Sequence, residues 1–232
     1  MPKLLLHHGH MYLGNAKSGT TSVKKQFDTI KNKDSIEIPN SDNFTKEYLQ
    51  SIQDQCDTLE KFVLFFHVRE PWDRFLSAVA TDIKRSENPE VVEERCEEIK
   101  NKYGLITPND PDSVQAAGLE LNFTPVLETV YKVILLTLPP MRDRIKRIDV
   151  WNYRLLKESM EKSWNCEFVV RENVTPNTIK NTVYDFFEKE TEFKKEWMEK
   201  NKKDYELYEL VKNKSSHSVS CKEYINKFYE KL

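Results

Sequence analysis

Residues 14–21, GNAKSGTT, bring glycines, a lysine and hydroxyl side chains together in one short stretch. Successive backbone N–H groups of a tight turn can bind an anion, and a helix that follows adds the partial positive charge of its N-terminus. Gly19 permits a close approach of the backbone, Thr20 and Thr21 offer hydroxyls, and Lys17 supplies a full positive charge. These residue types predict a loop that binds a phosphate or a similar anion.

The lysine stands at an unusual position for such a loop. The P-loop pattern G-x-x-x-x-G-K-[ST] places its lysine directly after the second glycine, whereas here Thr20 follows Gly19 and the lysine is Lys17. Three interpretations stay open: a diverged nucleotide-binding loop, a loop for a different phosphate compound, and an ordinary strand-to-helix turn with a solvated lysine.

A second stretch, VREPWDRFLSAV, carries further groups that could bind phosphate. Arg69 follows an apolar run, and Ser77 comes eight residues later inside a predicted helix. A guanidinium can grip phosphate through two N–H groups, which favours a binding role for Arg69. The alternative for Arg69 is an ion pair with Glu70 or Asp73. Arg74 is more ambiguous, and a structural ion pair is the favoured interpretation.

Two strand–loop–helix units are predicted to position these groups. Strands are predicted at 10–15 and 61–68, and each leads into a helix, whose apolar faces are formed by Val23, Phe27 and Ile30 and by Leu76, Val79, Ala80 and Ile83. In a parallel sheet, ligands bind beyond the carboxyl ends of the strands. Both loops should therefore meet at one edge of the sheet.

The remaining segments predict one α/β domain over residues 1–232, a three-layer sandwich with a mainly parallel central sheet and a helical C-terminal part. A further strand is predicted at 167–171. Helices are predicted at 44–52, at 90–103, after the N-cap residues Thr124 and Thr175, at 192–212 and at 220–231.

Composition narrows the class of protein. The net charge of −2 argues against a general nucleic-acid binder, and no apolar run approaches the roughly 18 to 20 residues that span a bilayer. No signal peptide is recognisable, so we expect a soluble cytoplasmic protein without a membrane span. The four cysteines form no C-x-x-C pair, and no metal site is expected.

The two loops together resemble a known family. KSGTTS, residues 17–22, is similar to the 5'-phosphosulfate loop of the sulfotransferases, and REPWDRFLSAV, residues 69–79, is similar to their 3'-phosphate motif R-x-P-x-x-R-x-x-S. KKDYELYELV, residues 202–211, more weakly resembles the D-x-x-L-Y segment of carbohydrate-type members. The resemblance implies a fold related to P-loop kinases and the donor 3'-phosphoadenosine 5'-phosphosulfate (PAPS).

The resemblance also implies roles for individual residues. Lys17 would stabilise the charge that develops on the bridging oxygen as the S–O bond breaks, which needs no metal ion. The 3'-phosphate would bind Arg69 and Ser77. The 5' end of the donor would lie on Ser18, Gly19, Thr20, Thr21 and Ser22.

The acceptor hydroxyl needs a general base, for which Glu37 and His67 are the candidates. Each has a structural alternative, a solvated carboxylate for Glu37 and a packed core side chain for His67. Three other histidines, His7, His8 and His10, lie before or at the start of the predicted first strand and are discounted because they should lie at the opposite edge of the sheet.

The sequence departs from the family in several places. Ser22 stands where many cytosolic members have tryptophan, and their R-K-G-x-x-G segment is absent, although RENV, residues 171–174, could line the adenine pocket. The expected acceptor is a hydroxyl of a carbohydrate or small molecule. Two alternatives stay open: a diverged P-loop nucleoside or nucleotide kinase, and a non-catalytic nucleotide-binding relative.

Overall fold

One mixed six-stranded sheet forms the centre of the protein. The computed structural model describes residues 3–14, 17–38, 61–85, 89–106, 113–117, 119, 123, 125–131, 139–169 and 175–229. The strands are β1 (Lys3–His7), β2 (His10–Gly14), β3 (Ile36–Ile38), β4 (Phe62–Val68), β5 (Ile145–Asn152) and β6 (Ser216–Val219), in the order β3-β1-β2-β4-β5-β6. β2, β4 and β5 are parallel neighbours, and the pairs β1–β2, β1–β3 and β5–β6 are antiparallel.

Helices pack on both faces of this sheet. They are α1 (Thr20–Ile30), α2 (Pro71–Arg85), α3 (Val92–Gly104), α4 (Ser113–Ala116), α5 (Val126–Tyr131), α6 (Leu156–Trp164), α7 (Asn177–Lys189), α8 (Thr191–Lys200), α9 (Lys202–Glu209) and α10 (Cys221–Phe228). One face is covered by α5, α9 and α10, and the other by α1 and α6. A further apolar core joins α2, α3, α7 and α8. The predicted α/β class is confirmed.

The central strand β4 shows why its sequence is uninterruptedly apolar. Phe62, Leu64 and Phe66 belong to the core on one face, whereas Phe65 belongs to the core on the other. Both faces of β4 are therefore shielded from solvent, as in parallel sheets covered by helices on each side.

Both predicted strand–loop–helix units are present, β2 with α1 and β4 with α2. The two strands are adjacent and parallel, with Tyr12 opposite Phe65. Their carboxyl ends, Gly14 and Val68, therefore lie at the same edge of the sheet.

Several predicted elements differ from the structure. β1, β3, β5 and β6 were not predicted, and the predicted strand at 167–171 is wrong over residues 167–169, which lie outside any helix or strand. The side-chain amide of Gln26 replaces a strand neighbour there: it donates to Glu167 O (3.0 Å) and accepts from Val169 N (3.3 Å). A buried glutamine in a helix gives no sequence signal for such pairing.

The predicted helix at 192–212 is two helices, because the chain turns at Asn201. The Asn201 side chain donates to Trp197 O (2.8 Å) and to the Tyr103 hydroxyl (3.0 Å), which fixes the break between α8 and α9. The helix predicted at 90–103 is confirmed as α3, and the C-terminal helix is shorter than predicted. The helix predicted after Thr124 is α5, and the helix predicted after Thr175 is α7, whose N-cap is Pro176 rather than Thr175. Thr124 itself and the predictions at 44–52 and 171–174 fall outside the described residues.

Candidate functional site

Residues 17–19, directly before α1, have the alternating backbone conformations of an anion-binding nest. Lys17 has φ +61° and Gly19 has φ +85°, so two residues that flank Ser18 adopt left-handed conformations. A left-handed conformation costs a lysine roughly 1 to 2 kcal/mol, and such strain persists where the surrounding structure enforces it. Alternating conformations of this kind point successive N–H groups into a concave nest.

The N-terminus of α1 comes directly after Gly19. Its N-cap is Gly19, no side chain caps it, and its first turn contains no acidic residue. The first intrahelical bond runs from Val23 N to Gly19 O (3.0 Å), so Thr20, Thr21 and Ser22 form the uncapped first turn predicted to hold the donor.

Ser18 is fully buried beside this turn, and its hydroxyl has no hydrogen-bond partner among the described residues. A buried hydroxyl without a partner is unfavourable. It is the polar group that a bound ligand could satisfy.

The glycines allow the loop to pack tightly. A Cβ added at Gly14 would lie 2.6 Å from Thr20 Cγ2, and one added at Gly19 would lie 2.6 Å from Leu156 Cδ2 and 3.2 Å from Tyr153 Cε2. A side chain at either position would therefore force Thr20 or Leu156 to move. The contact at Gly19 brings the loop against the segment that follows β5.

Lys17 reaches the second unit. Its ammonium donates to the Thr81 hydroxyl, and the Thr81 hydroxyl donates to Ser77 O (2.9 Å). Thr81 lies one helical turn after Ser77 on α2. Two residues predicted to bind the same donor, Lys17 and Ser77, are thus brought to one region of the structure.

Arg69 is held in a fixed orientation at the end of β4. Its Nε donates to Asp73 Oδ2 (2.5 Å), and its guanidinium lies 5.5 Å from the centroid of the Tyr153 ring. Burial alone would lower the pKa of Arg69, but the hydrogen bond and charge of Asp73 raise it above the ordinary value. The Asp73 contact uses one of the five N–H groups of the guanidinium.

Asp73 also accepts a hydrogen bond from the Tyr184 hydroxyl of α7. Burial favours a higher pKa for the Asp73 carboxyl, but the hydrogen bonds from Arg69 and Tyr184 outweigh it and hold that pKa below the ordinary value. The ion pair considered from the sequence as an alternative role for Arg69 is therefore formed, and it orients the guanidinium.

The N-terminus of α2 differs from that of α1, because protein groups already occupy it. The side chain of Glu70 caps this end, because Glu70 Oε2 accepts from Asp73 N (2.5 Å). Carboxylates of Glu70 and Asp73 stand at this helix end, where they balance its partial positive charge. Anion binding by the second unit must therefore come from side chains such as Arg69.

Glu37 lies beside α1 rather than in either loop. It belongs to the edge strand β3, and its Oε2 lies 3.0 Å from Lys24 Nζ of α1. Its carboxylate is exposed, with 35% of the side chain accessible, and Lys24 stands one helical turn after Thr20. Glu37 as a base stays a prediction.

His67 lies inside the core. It is fully buried, its Nε2 lies 2.5 Å from Ser159 Oγ, and burial lowers its pKa to about 3. Ser159 donates in turn to Leu156 O (2.8 Å), so Ser159 accepts from His67, which places the ring proton on Nε2. This geometry favours the packed-core interpretation over a base that meets an acceptor.

The structure places the N-terminal histidines and Arg74 outside the two loops. His8 and Gly9 form the turn between β1 and β2, and His10 pairs with Val63 at the start of β4, which is the edge opposite the two loops. Arg74 is buried, and its Nη2 lies 3.8 Å from Asp204 Oδ2.

Sequence reasoning missed Tyr153 and Thr81, which connect the two loops. Tyr153 follows β5, a strand whose polar residues Lys146, Arg147 and Asp149 obscured its apolar pattern. Thr81 lies inside a helix that was correctly predicted, but its contact with Lys17 joins residues 64 positions apart in the chain, for which the sequence gives no signal.

Comparisons of this chain with protein-family models, curated proteins and solved structures gave no significant match. In the part of the chain that the structure describes, no helix is both long and apolar enough to cross a bilayer. Nor do three His, Cys, Asp or Glu side chains of the described ranges gather where they could hold a metal ion.

Proposed function

We propose that this chain is a sulfotransferase that takes a sulfuryl group from PAPS and transfers it to an acceptor hydroxyl of a carbohydrate or small molecule. The observation that carries the proposal is the convergence of two loops on one aromatic side chain. Gly19 of the first loop packs against Tyr153, and the guanidinium of Arg69 in the second loop lies 5.5 Å from the centroid of the same ring.

Each loop supports one end of such a donor. The uncapped N-terminus of α1, with Lys17 beside it, suits the 5'-phosphosulfate, because no carboxylate of its first turn competes for the site. Arg69 and Ser77 would take the 3'-phosphate. Two separate anion sites fit a nucleotide that carries phosphate at both its 5' and 3' positions.

The reaction is a substitution at sulfur. The acceptor oxygen forms a bond to sulfur, the bond from sulfur to the bridging oxygen breaks, and its electron pair stays on the 5'-phosphate. The products are a sulfate ester and adenosine 3',5'-bisphosphate, and the hydroxyl proton passes to a base. The Lys17 ammonium, which donates to the Thr81 hydroxyl, would stabilise the charge that develops on the bridging oxygen.

A second candidate function is nucleotide binding without catalysis. The positions of the two candidate bases favour it, since His67 is buried and Glu37 is paired with Lys24. Of the two, Glu37 is the better candidate for a base because its carboxylate is exposed.

The first experiment is calorimetric titration with adenosine 3',5'-bisphosphate, with magnesium ATP as a second ligand. We expect the bisphosphate to bind and Arg69→Ala to weaken it about 10- to 100-fold, as for a lost charge-assisted hydrogen bond. Lys17→Ala should also weaken it. The control variants are Arg85→Ala, at the far end of α2, and Lys33→Ala; both residues are exposed.

Absence of binding at millimolar bisphosphate would contradict the proposal, as would equal affinities of Arg69→Ala and Arg85→Ala. Stronger binding of magnesium ATP would favour a kinase instead. Measuring the release of the bisphosphate from PAPS in the presence of a panel of sugars and phenols then distinguishes a sulfotransferase from a protein that binds the nucleotide without catalysis. Glu37→Gln should abolish turnover while leaving binding unchanged, whereas binding with no turnover by the unmodified chain would identify the non-catalytic function.

A further inference from the structure

The Asp73 carboxylate accepts a hydrogen bond on each of its two oxygens. Arg69 Nε donates to Oδ2 (2.5 Å), and the Tyr184 hydroxyl of α7 donates to Oδ1. The backbone N–H of Asp73 donates in turn to Glu70 Oε2 (2.5 Å). The carboxylate is therefore shared between the cation at the end of β4 and a phenol that lies 111 residues further along the chain than Asp73.

The helix that carries Tyr184 is anchored on α2. Phe187 of α7 is fully buried and packs edge-on against two rings of α2, with centroid distances of 5.4 Å to Phe75 and 6.0 Å to Trp72. Tyr184 precedes Phe187 by three residues, which places both side chains on the same face of α7. The Tyr184 hydroxyl is thereby held beside the first turn of α2, where Asp73 lies.

The ion pair between Arg69 and Asp73 would be a weak restraint by itself. The Asp73 side chain is 39% exposed and that of Arg69 is 21% exposed, and an ion pair that water can reach orders its side chains only weakly. The hydrogen bond from Tyr184 is a second restraint on the same carboxylate. Burial and then this bond to Asp73 raise the pKa of the Tyr184 phenol to about 12, so the phenol stays a donor near neutral pH.

The guanidinium of Arg69 has donors to spare for a ligand. Asp73 accepts from its Nε, and the Tyr153 ring centroid lies 5.5 Å from its Cζ. Among the described residues, neither Nη group of Arg69 bonds an acceptor. The two Nη groups carry four of the five N–H donors of a guanidinium.

We infer that Tyr184 is a positioning residue: by holding the Asp73 carboxylate, it fixes the orientation of the Arg69 guanidinium, whose Nη groups are left for an anion. It acts through Asp73 rather than by touching the ligand. The identity of that anion as a 3'-phosphate rests on the proposed function. The effect of Tyr184 on Arg69 does not, and it can be measured without any ligand.

The ligand-free test follows the exchange of the Arg69 Nε–H with water by NMR. In the unmodified chain this proton should exchange more slowly than that of the exposed Arg154. Tyr184→Phe keeps the ring and removes the hydroxyl, and we expect it to speed the exchange about 5- to 10-fold, the effect of one hydrogen bond. The matched control is Tyr229→Phe, which removes a phenol hydrogen bond to Leu127 O (2.9 Å) in a different apolar core and should leave the rate unchanged.

Asp73→Ala tests whether Tyr184 acts through the carboxylate. This variant should speed the Arg69 exchange by itself, and adding Tyr184→Phe to it should change the rate no further, because the shared partner is already gone. An unchanged rate in a folded Tyr184→Phe variant would overturn the inference. So would a further acceleration in the double variant, or an equal acceleration in Tyr229→Phe.

A second measurement leaves Tyr184 unmodified, should Tyr184→Phe fold poorly. The Tyr184 hydroxyl proton should be protected from exchange in the unmodified chain and should lose that protection in Asp73→Ala. A hydroxyl proton that exchanges equally fast in the two chains would overturn the inference.

The ligand test compares adenosine 3',5'-bisphosphate with adenosine 5'-monophosphate by calorimetry. Tyr184→Phe should weaken binding of the bisphosphate about 5-fold and leave the monophosphate unaltered, because only the former carries the phosphate that Arg69 would bind. Equal losses for both ligands would contradict a positioning role. If the unmodified chain binds neither nucleotide, the proposed function fails, and the exchange measurements alone decide whether Tyr184 positions Arg69.

Discussion

Replacing Gly19 with alanine tests whether the loop must approach β5 closely. Two effects contribute to the expected loss of stability. The residue has φ +85°, which costs a residue with a Cβ about 1 kcal/mol. The added Cβ would also lie 2.6 Å from Leu156 Cδ2, and moving that side chain off its rotamer costs about 1 kcal/mol. We therefore expect Gly19→Ala to lower the free energy of unfolding by about 2 kcal/mol.

Two other glycines separate these effects. Gly9 has φ +69° and no atom within 4 Å of an added Cβ, so Gly9→Ala should show only the cost of the left-handed backbone conformation. Gly104 ends α3 with open space and no positive φ, so Gly104→Ala should be neutral or stabilising. Urea unfolding midpoints should rank Gly104→Ala highest, then the unmodified chain, then Gly9→Ala, then Gly19→Ala.

The size of the effect is measurable, since about 2 kcal/mol corresponds to roughly 4 to 8 °C in the melting temperature of a chain of this size. Equal losses in Gly19→Ala and Gly9→Ala would refute the steric contact with Leu156. A Gly19→Ala variant as stable as Gly104→Ala would refute the left-handed conformation as well.

Three further predictions concern buried and paired groups. Ser18→Ala should raise the free energy of unfolding in urea by about 1 kcal/mol, because it removes a buried hydroxyl without a partner among the described residues. The same variant should bind the bisphosphate more weakly in calorimetry. A loss of stability would contradict the buried position of Ser18. The pKa of His67 is about 3 in the folded chain against 6.5 when unfolded, so the unfolded state takes up a proton first and stability should fall between pH 6.5 and 3, by up to about 1.4 kcal/mol per pH unit. His67→Gln should remove this part of the pH dependence, and identical slopes for the two chains would count against a buried neutral His67. The pKa of Asp73 is held below its ordinary 3.8, so the ionised carboxylate stabilises the fold fully above pH 3.8, and this stabilisation is lost as the pH falls through the pKa of the folded state. The difference in stability between the unmodified chain and Asp73→Asn should therefore shrink below pH 3.8. A constant difference would argue against the pair with Arg69.

The elements nearest the candidate site were predictable from sequence because each signal is local. β4 is an unbroken apolar run, α2 repeats its apolar residues at helical spacing, and Gly14 and Gly19 mark the turn between β2 and α1. Their adjacency followed from the preference for parallel neighbours in such folds.

The groups that connect the loops were not predictable, because their roles depend on contacts between distant parts of the chain. Tyr153 is 84 residues beyond Arg69, and β5 alternates charged with apolar residues near its start. His67 shows the opposite case: strand parity placed it on the same side as Arg69, whereas its full burial against Ser159 emerges only when α6 packs on the sheet.

A crystal structure with adenosine 3',5'-bisphosphate bound would test the proposed donor site directly. We expect the 5'-phosphate against Lys17 and the first turn of α1, and the 3'-phosphate against Arg69 and Ser77. A nucleotide bound elsewhere, or one whose 3'-phosphate makes no contact with Arg69, would contradict the proposed donor site.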